Sequence, residues 1–327
     1  MDQNLTSAPE SLPSGDLSPA PAAPPKRGMS RRATLIVLLI AVSFVLMPFL
    51  FWRASWFGAP MSAAEISQAL APGAEPRATQ HALAQLSALM DRNDPSARQW
   101  YPGIISAAGH ADPQIRLTAA WVMGRDNTVP DFHRRLAEML ADPDAMVRAN
   151  AALALVRFHD AAGRPQLLAM LQPFTVSAPS GFTAGTLRPR LKERDAVRPG
   201  TLLARIDLSV GADPRGSSAG VRPLENAPAL IELRSPVPGT LQRWVGAAGA
   251  AVAPGQPICI LAPDPQAAWE ALRGLFLVGQ PEDAPVVESF LRNSADLPAN
   301  VAEQARITLG ALKSRNVREG ETGKPGF

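Results

Sequence analysis

The sequence predicts an α+β multidomain protein, in which an N-terminal transmembrane helix precedes an α-solenoid that is interrupted by an all-β domain. Three observations predict this order. An uncharged apolar run covers residues 33–52, Asp-Pro pairs at predicted helix starts recur along the chain, and a segment rich in Pro, Gly and β-branched residues separates two helical regions. A chain of 327 residues with 46% apolar residues is long enough for about two domains and can bury a core.

The composition argues against several classes of site. The net charge is +3, and residues 33–327 carry only +2 of it (3 − 4 + 3), because three acidic residues and four basic residues precede position 33. So small a charge predicts no nucleic-acid partner. The single cysteine, Cys259, excludes an internal disulfide and any multi-cysteine metal or redox site. The basic residues before position 33 are Lys26, Arg27, Arg31 and Arg32.

Residues 33–53 are predicted to form the transmembrane helix. The twenty uncharged residues from Ala33 to Trp52 would rise roughly 30 Å as a helix, which is the thickness of the hydrocarbon core of a bilayer. The basic cluster before this run predicts a single-pass anchor in the inner (cytoplasmic) membrane, with residues 1–32 as a disordered cytoplasmic tail and the bulk of the chain in the periplasm. A cleaved signal peptide is the alternative, although its apolar region is normally only about 7–15 residues long.

Residues 62–174 are predicted to be a helical repeat. Asp112-Pro113 and Asp142-Pro143 are each followed by an aliphatic-Arg pair and then by two adjacent alanines. The second aliphatic-Arg pair lies 32 residues after the first, an interval typical of solenoids, and Asp followed by Pro is a favourable helix start. We expect the two arginines, Arg116 and Arg148, on an exposed ridge. The pattern resembles HEAT repeats, which implies stacked pairs of antiparallel helices.

The helical pattern stops at Phe174 and resumes at Asp264-Pro265. Residues 264–315 resemble further HEAT helices, and residues 316–327 are expected to be a flexible tail. Two such helices with one appended helix cannot bury their own apolar face, since solenoids need about three repeats. The sequence therefore predicts one helical array, in which residues 264–315 pack on the helices that end near Leu171.

Residues 175–263 are predicted to be an all-β domain made of two related halves. Each half has a Gly-Thr-Leu strand start, at Gly185 and Gly239, and then a Pro-Gly turn, at Gly200 and Gly255. This pattern resembles the biotinyl/lipoyl-like barrel-sandwich hybrid domain of carrier proteins and HlyD-type periplasmic adaptors. Carrier domains present a modified lysine on the hairpin between the halves, but no lysine occurs from 193 to 312. We therefore expect no biotin, no lipoate and no other cofactor.

No catalytic or metal-binding constellation is evident, and we expect the protein not to be an enzyme. The four histidines are scattered singly, and Cys259 lies in an apolar strand where a buried thiol is expected. Partner-binding candidates are few, and they are Trp244, Trp121, Arg134 and Arg135.

The resemblances favour a membrane-anchored periplasmic scaffold or adaptor subunit of an envelope or transport complex. Its expected partners are other envelope proteins, a transporter among them, or further copies of the chain. The alternatives are a HEAT-type lyase or cofactor-maturation enzyme and a glycan-binding envelope module.

Overall fold

The computed structural model describes residues 31–56, 60–208, 230–293 and 297–322. The chain divides into two units, residues 1–59 and residues 60–327. The described part of the first unit is one helix, α1 (Arg31–Trp56). Almost all of the predicted tail over 1–32 lies outside the described residues.

Helix α1 corrects the prediction of a transmembrane segment. Its continuous run of described side chains extends from Leu35 to Leu50, and all of them are exposed. Among the residues that the structure describes, none of the helices has both the length and the apolar character needed to cross a membrane. The finding contradicts the transmembrane helix predicted at 33–53 and the inner-membrane location based on it.

In the second unit, helices precede and follow the β segment along the chain. Before the β segment lie α2 (Ala63–Ala69), α3 (Pro76–Asp91), α4 (Tyr101–Ala107), α5 (Pro113–Met123), α6 (Pro130–Met139), α7 (Ala145–Arg157) and α8 (Arg164–Ala169). After it lie α9 (Pro265–Val278), α10 (Ala284–Asn293) and α11 (Ala299–Thr322). Helix α11 thus extends beyond residue 315. Helices α3, α5, α7 and α9 contact one another in that order, and α11 packs on α9.

Aspartate caps the three helices at which the sequence predicts an Asp-Pro start, with one correction to the capping residue. Asp112 caps α5 and Asp264 caps α9 through their side chains, each with Pro in the first turn. The cap of α7 is Asp144 and not Asp142, because the Asp144 side chain accepts hydrogen bonds from the amides of Met146 and Val147. Asp142 instead faces Arg116 of the preceding repeat.

Arg116 and Arg148 correct a second prediction, because neither lies on an exposed ridge. The Nη1 group of Arg116 donates to the carbonyls of His110 and Ala111. Arg148 makes the same two bonds to the carbonyls at 142 and 143, at distances of 2.6 and 2.9 Å. Each arginine therefore fixes the loop that precedes its own helix.

The β segment consists of two open, four-stranded antiparallel sheets. One has the strand order β1-β8-β6-β3 and the other β5-β4-β2-β7. Within the described residues neither sheet closes into a barrel, which corrects the barrel in the predicted fold class. The strands are β1 (Phe174–Ser177), β2 (Gly185–Pro189), β3 (Ala196–Val197), β4 (Leu202–Leu208), β5 (Leu230–Arg234), β6 (Gly239–Trp244), β7 (Ala251–Val252) and β8 (Pro257–Pro263).

The two halves of the β segment are related by an approximate two-fold exchange of strands. Strand β2 pairs with β4 and β7, whereas β6 pairs with β8 and β3. Each half has one glycine at a strand start and one glycine in a turn, and the two positions need glycine for different reasons. A Cβ on Gly239 would lie 2.4 Å from the carbonyl oxygen of Ala262, so this strand start needs glycine for space. Gly255 instead has a φ of +75° and serves the turn.

The helices on either side of the β segment share one core. The first and last strands lie side by side, with Phe174 opposite Leu261, so the chain leaves the β segment near the point where it enters. Buried Val156 and Leu167 then pack in the same cluster as Leu272 and Leu275. The Arg164 guanidinium on α8 also bonds both carboxylate oxygens of Asp283, at 3.0 and 2.8 Å.

Candidate functional site: a groove lined by tryptophan and arginine

The surface of the helical array carries a groove of about 370 Å³ across α5, α7 and α9. Each of the three helices contributes a large apolar residue that is followed four positions later by an arginine, which lies within α7 and α9 and in the turn just after α5. Residues at i and i+4 share one face of a helix, so the pairs on α7 and α9 each present a single face. Arg125 joins Trp121 at the same surface by stacking on its ring. We call this surface the Trp-Arg groove and define it by Trp121, Arg125, Leu153, Arg157, Trp269 and Arg273.

Small residues bring the three helices close enough to form the floor of the groove. A Cβ on Gly124 would lie 3.0 Å from that of Ala154, so the end of α5 approaches α7 closely at a residue without a side chain. A Cβ on Gly274 would lie 3.0 Å from Cδ1 of Leu167 and 3.1 Å from Cγ2 of Val156. A larger residue at either glycine would therefore require its neighbours to shift by a few tenths of an ångström.

Two arginines are stacked on the two tryptophans. The Cζ atom of Arg125 lies 4.0 Å from the centroid of the Trp121 ring, and that of Arg273 lies 4.7 Å from the centroid of Trp269. Such cation–π contacts contribute about 0.5–1 kcal/mol each at exposed sites. Trp121 remains 43% exposed, so its ring is held in place and is still accessible to a ligand.

The groove is positively charged. Its lining includes three arginines and one acidic residue, Glu270, for a net formal charge of +2 (3 − 1). Arg125 is partly neutralised by Asp91, at 3.1 Å. In the part of the chain that the structure describes, no carboxylate lies within 4.0 Å of the Arg157 or Arg273 guanidinium. Both charges are therefore available to an external anion.

The repeat that builds two sides of this groove matches a known family. A model of HEAT repeats matches residues 101–174. The HEAT repeats predicted from the sequence are confirmed over these residues, which run from the start of α4 to the start of β1. No curated protein matches the chain. HEAT repeats are solenoid units that generally present extended surfaces to protein partners.

The structure separates the four predicted partner-binding residues. Only Trp121 lies in the Trp-Arg groove. Arg134 and Arg135 lie on α6 and pair with carboxylates of the same helix, Asp131 and Glu138. Trp244 is half-buried against the core of the β segment, and its Nε1 donates to the carbonyl of Leu191 at 3.3 Å.

Four residues of the groove were not predicted from the sequence: Arg125, Arg157, Trp269 and Arg273. A signal for them was present, because the Trp-x-x-x-Arg spacing of α5 recurs in α9. Leu153 and Arg157 occupy the same positions in α7, 32 residues after Trp121 and Arg125.

Within the described ranges, the other chemically reactive side chains form no second site. Cys259 is fully buried, and its burial raises the pKa of the thiol to about 11. Burial, together with the carboxylate of Asp126, raises the pKa of Tyr101 to about 12, and the Tyr101 hydroxyl donates to Asp126 at 2.8 Å. Among the described residues no group of His, Cys, Asp and Glu is arranged to hold a metal ion.

Proposed function

We propose that the protein is a non-enzymatic scaffold that binds a protein partner in the Trp-Arg groove of its helical array. The observation that supports this most is the groove itself, in which exposed or partly exposed aromatic and arginine side chains of α5, α7, α9 and the turn after α5 line one surface. Trp and Arg are the residue types that most often dominate the binding energy of protein interfaces.

We further infer that the β segment is a second protein-binding module that resembles the biotinyl/lipoyl-like domains of adaptor proteins. Two observations support this: the exchange of equivalent strands between the two sheets and the Gly-Thr-Leu and Pro-Gly positions shared by the halves. The lysine that carrier domains modify has no counterpart between 193 and 312, so the module would bind partners without a covalent cofactor. On this view the chain joins two partners, one on each module.

Site-specific photocrosslinking in cells tests the scaffold. A photoreactive amino acid replaces Leu277, which lines the groove and is 55% exposed, or Ile307, which is 47% exposed and lies outside the groove on α11. We expect discrete protein adducts from position 277 and few from position 307, identified by mass spectrometry after purification. Protein adducts from position 307 alone would support a scaffold that uses another surface. The absence of protein adducts at both positions would contradict the scaffold.

A further inference from the structure

We propose that the Trp-Arg groove recognises an acidic, proline-containing segment in the polyproline II conformation, with a carboxylate at every third residue. This inference rests on the proposed function and specifies the chemistry of the partner.

The spacing expected between the helices that hold the arginines favours this conformation. Arg157 and Arg273 lie on α7 and α9, Arg125 directly follows α5, and the three helices contact one another in that order. Neighbouring packed helices lie about 8–10 Å apart. A polyproline II helix has three residues per turn and rises about 3.1 Å per residue, so residues i and i+3 lie on the same face about 9.3 Å apart. An extended β-strand instead repeats its face every two residues, at about 6.6 Å, and fits this spacing less well.

The tryptophans favour proline between the acidic residues. Polyproline II segments are recognised by grooves lined with aromatic side chains, and they lose little conformational entropy on binding because they are already extended. Trp121 and Trp269 stand on the two outer helices of the groove, and each is fixed by the arginine stacked on it. Leu153 on the central helix completes the apolar surface.

The charges of the groove favour separated carboxylates over the continuous phosphate backbone of a nucleic acid. Of the three groove arginines, Arg157 and Arg273 have no carboxylate partner among the described residues, whereas Arg125 pairs with Asp91. Arg157 and Arg273 would therefore bind the acidic side chains of the ligand most strongly. Glu270 of α9 also lines the groove, where it would repel the continuous phosphate backbone of a nucleic acid. A segment with spaced carboxylates can avoid Glu270.

Fluorescence anisotropy with the purified full-length chain tests the inference. The probes are a labelled Glu-Pro-Pro repeat peptide, a scrambled peptide of the same composition, a Lys-Pro-Pro repeat peptide and a labelled oligo(dT). We expect the Glu-Pro-Pro repeat to bind most tightly and its affinity to fall as salt is raised. The variant Arg157→Gln/Arg273→Gln should bind it about tenfold more weakly, since two charge-assisted contacts are lost.

The matched control is Arg292→Gln/Arg306→Gln. It also removes one arginine from the last turn of a helix and one from a helix surface, and the two side chains are 69% and 66% exposed outside the groove. We expect this control to bind as the natural chain does. Equal binding of the scrambled peptide, the Lys-Pro-Pro repeat or oligo(dT) would overturn the inference, as would unchanged binding by the groove variant.

The failure of this inference can be told apart from failure of the scaffold. If position 277 forms protein adducts in cells while the Glu-Pro-Pro repeat does not bind, the scaffold stands and the acidic polyproline II ligand is wrong. If neither experiment gives binding, both proposals are wrong.

Discussion

Arg116 and Asp142 are joined by two parallel hydrogen bonds, from Nε to Oδ2 at 2.7 Å and from Nη2 to Oδ1 at 2.8 Å. The two side chains are only 13% and 8% exposed. The pair joins α5 to the loop before α7 and so links one repeat to the next. Because Arg116 also bonds the loop before its own helix, one side chain holds three parts of the array in register.

We expect Arg116→Ala to lower the free energy of unfolding by about 3–5 kcal/mol, because it leaves the Asp142 carboxylate buried without its partner. The measurement is urea denaturation of the full-length chain, followed by far-ultraviolet circular dichroism. Arg134→Ala is the control, since Arg134 and Asp131 are 71% and 57% exposed and their pair should contribute less than about 1 kcal/mol. Equal losses in the two variants would contradict the structural role of Arg116.

The same pair should make the array sensitive to acid. The hydrogen bond from Arg116 is the largest cause that lowers the pKa of Asp142 below its ordinary value. A carboxyl group whose pKa is lower in the folded state stabilises the fold above the unfolded pKa, about 3.9, and this contribution is lost as the pH falls through the folded pKa. We expect the unfolding free energy of the natural chain to fall more steeply below about pH 4 than that of Asp142→Asn. Parallel pH curves would show that Asp142 does not supply the dependence.

The pair between Arg164 and Asp283 should hold the last helices on the array. Asp283 is 2% exposed, so Arg164→Ala would leave a buried carboxylate and lower stability by about 3–5 kcal/mol. We expect faster amide hydrogen exchange in α10, measured by mass spectrometry. The control is Arg188→Ala, because Arg188 and Asp207 are 60% and 46% exposed in the β segment. Unchanged exchange in α10 would show that the apolar contacts alone fix these helices.

Removal of the β segment should leave the helical array intact. A chain in which a short Gly-Ser linker replaces residues 176–263 should keep a cooperative thermal transition, because β1 and β8 begin and end at neighbouring points. A chain that ends at Pro173 should melt at a lower temperature or aggregate, since it exposes the face on which α9 packs. Circular dichroism melts compare the two chains. Equal stability would mean that α9 to α11 do not complete the array.

The parts of the fold that were predicted correctly depend on patterns among residues close together in the sequence. The periodicity of apolar residues and the Asp residues at helix starts locate α5, α7 and α9, and the repeated Gly-Thr-Leu and Pro-Gly positions locate equivalent strands. The errors arise where a residue acts through a distant partner. From its place before Pro143, Asp142 is predicted to cap a helix, but in the structure it binds Arg116, which lies 26 positions away.

The Trp-Arg groove was missed for a similar reason. The Trp-x-x-x-Arg spacing recurs in the sequence, and α9 was expected to pack on the helices that end near Leu171, but no local signal shows that α9 lies beside α7 with Trp269 and Arg273 next to Leu153. Trp121 could be singled out as an aromatic residue, but its exposure and its stacked arginine depend on the packed array.

The position of the β segment also has a consequence for synthesis on the ribosome. The core face formed by Val156, Leu167 and Leu171 is covered by α9, which begins 94 residues after Leu171 (265 − 171). At about 5–20 residues per second, translation leaves this apolar face uncovered for roughly 5–20 s while the β segment is made. During that interval the nascent chain has an open edge that chaperones or neighbouring nascent chains can bind, so the protein's yield should depend on how fast residues 172–264 are translated.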